Sequence, residues 1–188
     1  ILSMLTGMLA GLVTGILNTK LKIPSLLSGI LSMTGLYSIN LRVMGKANLP
    51  LLRQDTIITR VTSLGFETDT AVIIVGVVSV LAVILILWWF FGTEKGFAIR
   101  ATGDNSNMIR ALGVNTNSMV ILGLVISNGL IALSGGIMAQ YNGYADVGMG
   151  TGTIVIGLAS VIIGEVLFGN TSILRSLFAV VLGSILYR

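Results

Sequence analysis

The chain of 188 residues contains no cysteine and no histidine. These absences exclude disulfides, thiol nucleophiles, thiolate or imidazole metal ligands and a histidine-based catalytic triad. Only 10% of the residues are charged, whereas an ordinary soluble domain has roughly 25%. This scarcity of charge argues against a soluble single domain.

The chain is instead rich in apolar residues, with 54% hydrophobic side chains and 24 glycines, and its mean hydropathy is +0.99. Several apolar runs approach or exceed the roughly 20 residues that an α-helix needs to cross a bilayer. Helices satisfy their own backbone polar groups in lipid. We therefore predict an all-α, polytopic transmembrane bundle without a soluble domain.

About six spanning or re-entrant segments are visible. They cover residues 1–19, 23–40, 70–91, 118–140 and 154–168, and a last one follows "GNTSILR". Residues 23–40 and the polar, glycine-rich residues 141–153 either span or re-enter. The sequence opens and closes inside apolar runs, so we expect residues 1–188 to be one transmembrane domain of a longer chain, truncated at both ends.

Gly7, Gly11 and Gly15 repeat every four residues in the first segment. Such a face allows close approach of another helix. The alternative is that glycines are simply frequent in membrane helices.

Residues 41–69 form a long connection of mixed charge, which we expect to lie outside the cell. If every segment spans, one side carries the larger number of basic residues, which favours a cytoplasmic location for the loop at residues 92–117. The basic residues of that side are Lys20, Lys22, Lys95, Arg100, Arg110 and Arg175, against Arg42, Lys46, Arg53 and Arg60 on the other.

The 92–117 loop contains the pattern of a short capped helix. Asp104 and Asn105 are good N-cap residues, and Gly113 is placed to end the helix in the left-handed conformation. Met108, Ile109 and Leu112 gather on one face. Such a helix either rests at the membrane interface or fits a socket in another protein.

Two stretches of this loop, Arg100-Ala-Thr-Gly-Asp-Asn105 and Arg110-Ala-Leu-Gly-Val-Asn115, resemble the cytoplasmic loop of ABC importer permeases of the branched-chain amino acid and ribose family. The helical layout resembles that family along the whole chain. Residues 11–49 resemble a sub-branch associated with tryptophan, tyrosine or related amino acids.

The resemblance implies a type II importer fold in the bacterial inner membrane, a homodimer of permeases and inward movement of an amino-acid-like solute. It also implies that residues 104–113 form a coupling helix seated on a separate ATP-binding subunit. The coupling residues would be Asp104, Asn105, Met108, Ile109, Arg110, Ala111, Leu112 and Gly113. A substrate-binding protein would dock on the 41–69 connection, with Arg53 and Arg60 in the contact.

No lysine is followed by Ser or Thr, so the chain lacks a G-x-x-x-x-G-K-[ST] phosphate loop. We expect ATP to be bound by the partner, and this chain to be a transport subunit with no cofactor, not an enzyme.

Two other motif matches carry no weight. The stretch "GMGTGT" at 148–153 lacks the third glycine position of the dinucleotide-binding pattern G-x-G-x-x-G. Asn170-Thr-Ser172 matches a glycosylation acceptor but lies in a loop assigned to the cytoplasm. A role with nucleic acid is disfavoured.

Scattered polar groups are candidates for a translocation path: Tyr37, Asn40, Asn128, Gln140, Asn142 and Glu165. Amide side chains can satisfy a zwitterion without fixed charge, but hydrogen bonding between helices explains these residues equally well. A carboxylate in a spanning run is costly, so Glu165 either pairs with Arg175 or a loop amide, or belongs to an inner gate. Two alternatives remain: an ion-coupled secondary transporter or channel, and a structural membrane-assembly subunit.

Overall fold

The computed structural model of the chain describes residues 2–51, 56–63, 65, 67–169 and 171–187. Within those ranges it contains nine helices and two short strands. In chain order they are α1 Leu2–Thr19, α2 Ser25–Met44, β1 Asn48–Pro50, α3 Ile57–Thr62, α4 Thr68–Phe91, α5 Glu94–Asp104, α6 Ser106–Ala111, α7 Thr116–Asn142, β2 Tyr144–Asp146, α8 Thr153–Phe168 and α9 Ile173–Tyr187.

Three helices in the described part, α1, α4 and α7, are long and apolar enough to cross a membrane, with 18, 24 and 27 residues. The apolar helices α8 and α9 have 16 and 15 residues and are shorter. The helical, polytopic fold class is confirmed. The six predicted segments correspond to these five helices together with the less apolar α2.

The glycine face of α1 packs against α7. A Cβ atom on Gly7 would collide with the Ala132 side chain, and one on Gly11 would collide with the carbonyl group of Leu124. Farther along, Gly15 faces Ile121, so the two helices run antiparallel. The predicted close approach of another helix to this face is confirmed.

α8 and α9 form a second closely packed pair. Ser160 and Gly164 on α8, and Ala179 and Gly183 on α9, are all buried. A Cβ on Gly164 would meet the Ala179 carbonyl, and one on Gly183 would meet the Ser160 carbonyl. Each helix thus presents two small residues four positions apart, the spacing that lets membrane helices approach closely.

α2 begins directly after Pro24, whose carbonyl oxygen accepts a hydrogen bond from the Ser28 N–H at 2.9 Å. It contacts α1 through the hydroxyl pair Thr14 and Ser32, 2.7 Å apart. The helix continues through Met44, four residues past the end expected at Asn40. It stops where Gly45 adopts a φ of 66°, a conformation that glycine reaches without steric cost.

The polar residues 141–153 do not form a further span. They contain β2, which pairs antiparallel with β1 so that Asn48 lies opposite Asp146. After β2 the chain turns, and the Asp146 carboxylate accepts a hydrogen bond from the Gly148 N–H at 2.7 Å. The strands are an addition to the predicted all-α architecture.

The bundle has two ends. The α6 end comprises the C-termini of α1, α4 and α8, the helices α5 and α6 and the N-termini of α2, α7 and α9. The sheet end comprises the other helix termini, α3 and the two strands. Because β1 pairs with β2 beyond the C-terminus of α7, α2 runs from one end of the bundle to the other. The division of the basic residues between two sides assumed that every segment spans, and the path of α2 agrees with that assumption.

At the α6 end lie six basic residues, Lys20, Lys22, Lys95, Arg100, Arg110 and Arg175, and at the sheet end Arg42, Lys46 and Arg60. Arg53, which was counted with the second group, lies outside the described residues. This distribution is the one that the positive-inside rule associates with a cytoplasmic α6 end. The orientation itself stays a prediction.

Candidate functional site

α6 is a short helix with a defined cap at each end. Asn105 is its N-cap, and the Asn105 side-chain oxygen accepts a hydrogen bond from the Met108 N–H at 3.0 Å. At the other end Gly113 has a φ of 83°. Its N–H donates to Arg110 and the Val114 N–H donates to Ile109, the pair of bonds that defines a Schellman motif. The predicted stop at Gly113 is confirmed.

Asp104 is not the cap of this helix, in contrast to the alternative that the sequence allowed. It is the last residue of α5, an 11-residue helix that was not predicted. α5 begins at the N-cap Thr93, whose hydroxyl accepts a hydrogen bond from Gly96 N–H at 3.3 Å. Gly96 packs against the end of α4, with its Cβ position only 2.5 Å from Phe91 Cα, so α5 folds closely back on α4.

The apolar side chains of α6 point to different environments. Met108 and Leu112 are 53% and 69% exposed, whereas Ile109 is only 6% exposed. The Ile109 side chain therefore packs inside its own chain, and its part in coupling stays a prediction. Met108, Leu112 and the exposed Ala111 remain available to another protein.

Arg110 lies at the junction of α6 and α7. Its guanidinium donates to the Thr116 hydroxyl at 3.0 Å, and Thr116 is buried at the first position of α7. α7 has its own N-cap, Asn115, which accepts from the Ser118 N–H at 3.3 Å. Gly113 therefore ends α6, Asn115 caps the start of α7, and the bond from Arg110 to Thr116 ties the two helices together.

The six candidate path residues do not converge on one cavity. Tyr37 and Asn40 lie exposed on α2, and Glu165 is exposed on α8. The half-buried Asn128 donates to the Leu124 carbonyl oxygen of its own helix at 2.9 Å. Two cavities, of about 650 and 250 Å³, are lined by other residues.

Gln140 and Asn142 lie at the C-terminal end of α7. The Gln140 side-chain oxygen accepts a hydrogen bond from the Ile57 N–H at 2.9 Å, which ties the start of α3 to α7. Asn142 is the last helical residue. The Gln140 bond joins two helices, as the alternative of hydrogen bonding between helices anticipated, whereas the Asn128 bond stays within α7. The place of both residues in a translocation path stays a prediction.

The predicted pairing of Glu165 with Arg175 is not formed in the described residues, where Arg175 contacts the Thr171 hydroxyl at 3.4 Å.

Asn170 lies outside the described residues, as does Arg53. Arg60 is exposed in α3. Among the described residues there is no group of three or more Asp or Glu side chains that could hold a metal ion.

Sequence reasoning missed two polar contacts that organise the bundle. One is the Thr14–Ser32 hydroxyl pair between α1 and α2. The other is the bond from Ile57 to Gln140, 83 residues apart in the chain. A single hydroxyl or amide side chain in an apolar segment does not indicate in the sequence which distant residue it contacts. These two pairings could therefore not be predicted from the spacing of residues along each helix.

The whole chain, residues 1–188, matches the family described as branched-chain amino acid transport system, permease component. It is 46% identical over its full length to a tyrosine transport system permease protein of Clostridioides difficile, covering 61% of that protein. It is 30% identical to an uncharacterized protein of Rickettsia prowazekii, covering 66% of it.

A more distant relative is the autoinducer 2 import system permease protein LsrC of Yersinia pseudotuberculosis, 29% identical over 98% of the chain and 50% of that protein. The chain therefore spans about half to two thirds of the length of these curated relatives. No solved structure matches it.

These matches confirm the resemblance inferred from the loop motifs and from residues 11–49. They agree with the apolar helices, which identify an integral membrane protein. The chain belongs to the family of branched-chain amino acid transport system permease components.

Proposed function

We propose that this chain is the membrane-spanning part of an ATP-driven importer for a small amino-acid-like solute, with an aromatic amino acid such as tyrosine favoured, in the bacterial inner membrane. The observation that carries the proposal is the 46% identity to a tyrosine transport permease across every residue of the chain. The LsrC relatives, named as import permeases, support the inward direction.

The energy for transport comes from a separate subunit in this proposal. The sequence contains no phosphate-binding loop of the G-x-x-x-x-G-K-[ST] type, so ATP is bound by a partner and this chain has no ATPase activity of its own. A substrate-binding protein delivers the solute at the sheet end. Two permease chains form the transport path.

α6 is the element that receives the ATPase motion in this proposal. Its capped ends make it a rigid unit, and its exposed Met108 and Leu112 offer an apolar contact to the ATP-binding subunit. Ile109 has a different role from the one expected, because its buried side chain holds α6 on its own chain. In this proposal, a displacement of α6 at Leu112 is transmitted to α7 through Ile109 and Arg110.

The test is the association of the full-length permease with its ATP-binding subunit. Leu112→Glu places a charge on the exposed apolar contact, and we expect it to weaken co-purification of the ATP-binding subunit by at least about tenfold, because burying an unpaired carboxylate in an interface costs several kcal/mol. Ile57→Glu is the control, since Ile57 is similarly exposed but lies at the sheet end.

Two outcomes contradict parts of the proposal. If Leu112→Glu folds and binds the ATP-binding subunit as the unmodified chain does, α6 is not the coupling element. If the full-length chain binds no ATP-binding subunit at all, the ion-coupled transporter becomes the better account, and Glu165 becomes the residue to test.

A further inference from the structure

A cavity of about 650 Å³ opens at the α6 end, on the side of the coupling loop that faces α1. Its walls come from four parts of the chain: the end of α1 and the turn after it, the end of α5, α6, and the first turn of α7. Asn18, Lys22, Arg110 and Thr116 each contribute to the lining. Its volume falls in the range of roughly 300 to 1,000 Å³ that is typical of small-molecule sites.

The charge of this cavity has one sign. Lys22 follows α1, and Arg110 lies on α6, so the two cations reach the same space from elements far apart in the sequence. Among the described residues that line the cavity, none is acidic. Both residues are exposed, and two positive groups gathered without a compensating carboxylate attract an anion.

The neutral groups of the lining are suited to the same ligand. The first turn of α7 enters the cavity at Thr116 and Asn117, where backbone N–H groups have no acceptor within the helix. Arg110 holds the buried Thr116 hydroxyl with one N–H, and a guanidinium has five such donors. The Thr19 and Thr102 hydroxyls of the lining donate to the Gly15 and Ala98 carbonyl oxygens of their own helices. The other polar side chains of the lining are those of Asn18, Ser106, Asn115 and Asn117. Their amide and hydroxyl groups can donate hydrogen bonds to oxygen anions.

We propose that this cavity binds a phosphate group, held by Lys22, Arg110 and the first turn of α7. The phosphate is either that of an anionic lipid headgroup at the membrane surface or that of a small soluble phosphate compound. Bound there, it bridges α1 to both α6 and α7. It thereby fixes the position of the coupling loop relative to the packed α1–α7 pair.

Binding can be measured on the full-length chain in two arms. In the first, the chain is placed in phosphatidylcholine nanodiscs, and inorganic phosphate is titrated against chloride at equal ionic strength while the thermal unfolding midpoint is followed. In the second, native mass spectrometry counts the phosphatidylglycerol molecules retained from mixed nanodiscs. A response in the first arm identifies a soluble phosphate, and one in the second arm alone identifies a lipid headgroup.

Lys22→Gln removes one charge and is expected to weaken binding in the responding arm about tenfold, the loss typical of one charge-assisted hydrogen bond. Lys20→Gln is the matched control, because Lys20 lies two residues away and does not line the cavity. Arg110→Gln is a second variant. Because it also removes the Thr116 contact, the decision rests on Lys22→Gln.

Retained binding in Lys22→Gln, equal to that of Lys20→Gln, would overturn the proposal, as would the absence of a response in both arms. Equal weakening in both lysine variants would also overturn it, because that result indicates general surface attraction. None of these measurements requires transport or an ATP-binding subunit, so failure here is distinct from failure of the proposed function.

Discussion

Gly11 has no space for a side chain, because its Cα faces the backbone of α7. A Cβ there would lie 2.9 Å from Val125 Cα and would collide with the Leu124 carbonyl oxygen. Both obstacles are backbone atoms, which cannot rotate away as the end of a side chain can. The residue therefore sets how closely α1 and α7 approach.

We predict that Gly11→Ala destabilises the protein, although alanine is the better helix former. Overpacking at a close contact costs typically about 1 to 3 kcal/mol, which exceeds the gain of roughly 0.5 to 1 kcal/mol from replacing a helical glycine. The measurement is the thermal unfolding midpoint of the full-length chain in detergent micelles, which should fall by several degrees.

Gly76→Ala is the control for this prediction. Gly76 lies in α4, and nothing surrounds the position of its Cβ within 4 Å, so the variant should be neutral or slightly stabilising. An unfolding midpoint that falls equally in both variants would contradict the role given to the α1–α7 contact.

At the scale of single residues, the sequence predicts those features that depend on local backbone geometry. The stop at Gly113 and the cap at Asn105 follow from residue type and spacing, and both are present. The inward direction of Ile109 was not predictable, because it depends on how α6 packs on the rest of the chain. A six-residue helix has fewer than two turns, so its sequence does not indicate which of its apolar residues face the rest of the chain.

At the scale of elements, α6 is too short to be stable by itself. Isolated helices below roughly 12 to 15 residues are marginal in water, whereas α6 has six. Its integrity depends on Asn105 at the start, the Schellman motif at the end and the burial of Ile109. The caps are therefore part of what makes α6 a rigid body.

We predict that Asn105→Ala loosens α6 without unfolding the protein. Loss of an N-cap costs about 1 kcal/mol, which corresponds to about fivefold more frequent local opening. Hydrogen exchange at the α6 amides should accelerate by this factor. Asn107→Ala is the control, since Asn107 lies exposed within α6 and is not the cap. Equal acceleration in both variants would show that the cap does not hold the helix.

α5 was missed because its two glycines, Gly96 and Gly103, suggest breaks in a polar stretch. In the structure Gly96 is needed for the close approach to α4, and only Gly113 in this loop has a positive φ. The strands were missed for another reason. Each has three residues and pairs with a segment far away in the chain, and such pairing leaves no periodic pattern in the sequence.

At the scale of the whole molecule, the membrane class and the family follow from composition and from the loop motifs. The arrangement of the spans does not, because helix pairing in lipid depends on small residues that are common in all such helices. The path of α2 from the α6 end to the sheet end follows from the β1–β2 pairing. The predicted cytoplasmic position of α6 depends on α2 crossing from one side to the other, and this path agrees with that requirement.

The most direct test of the proposed function is uptake of radiolabelled tyrosine into proteoliposomes. These contain the full-length permease, its ATP-binding subunit and the substrate-binding protein. The account predicts accumulation that requires ATP and falls at least about tenfold in Leu112→Glu at equal incorporation, because the exposed contact of α6 is lost. Accumulation driven by an ion gradient without ATP, or full ATP-dependent uptake by Leu112→Glu, would contradict it.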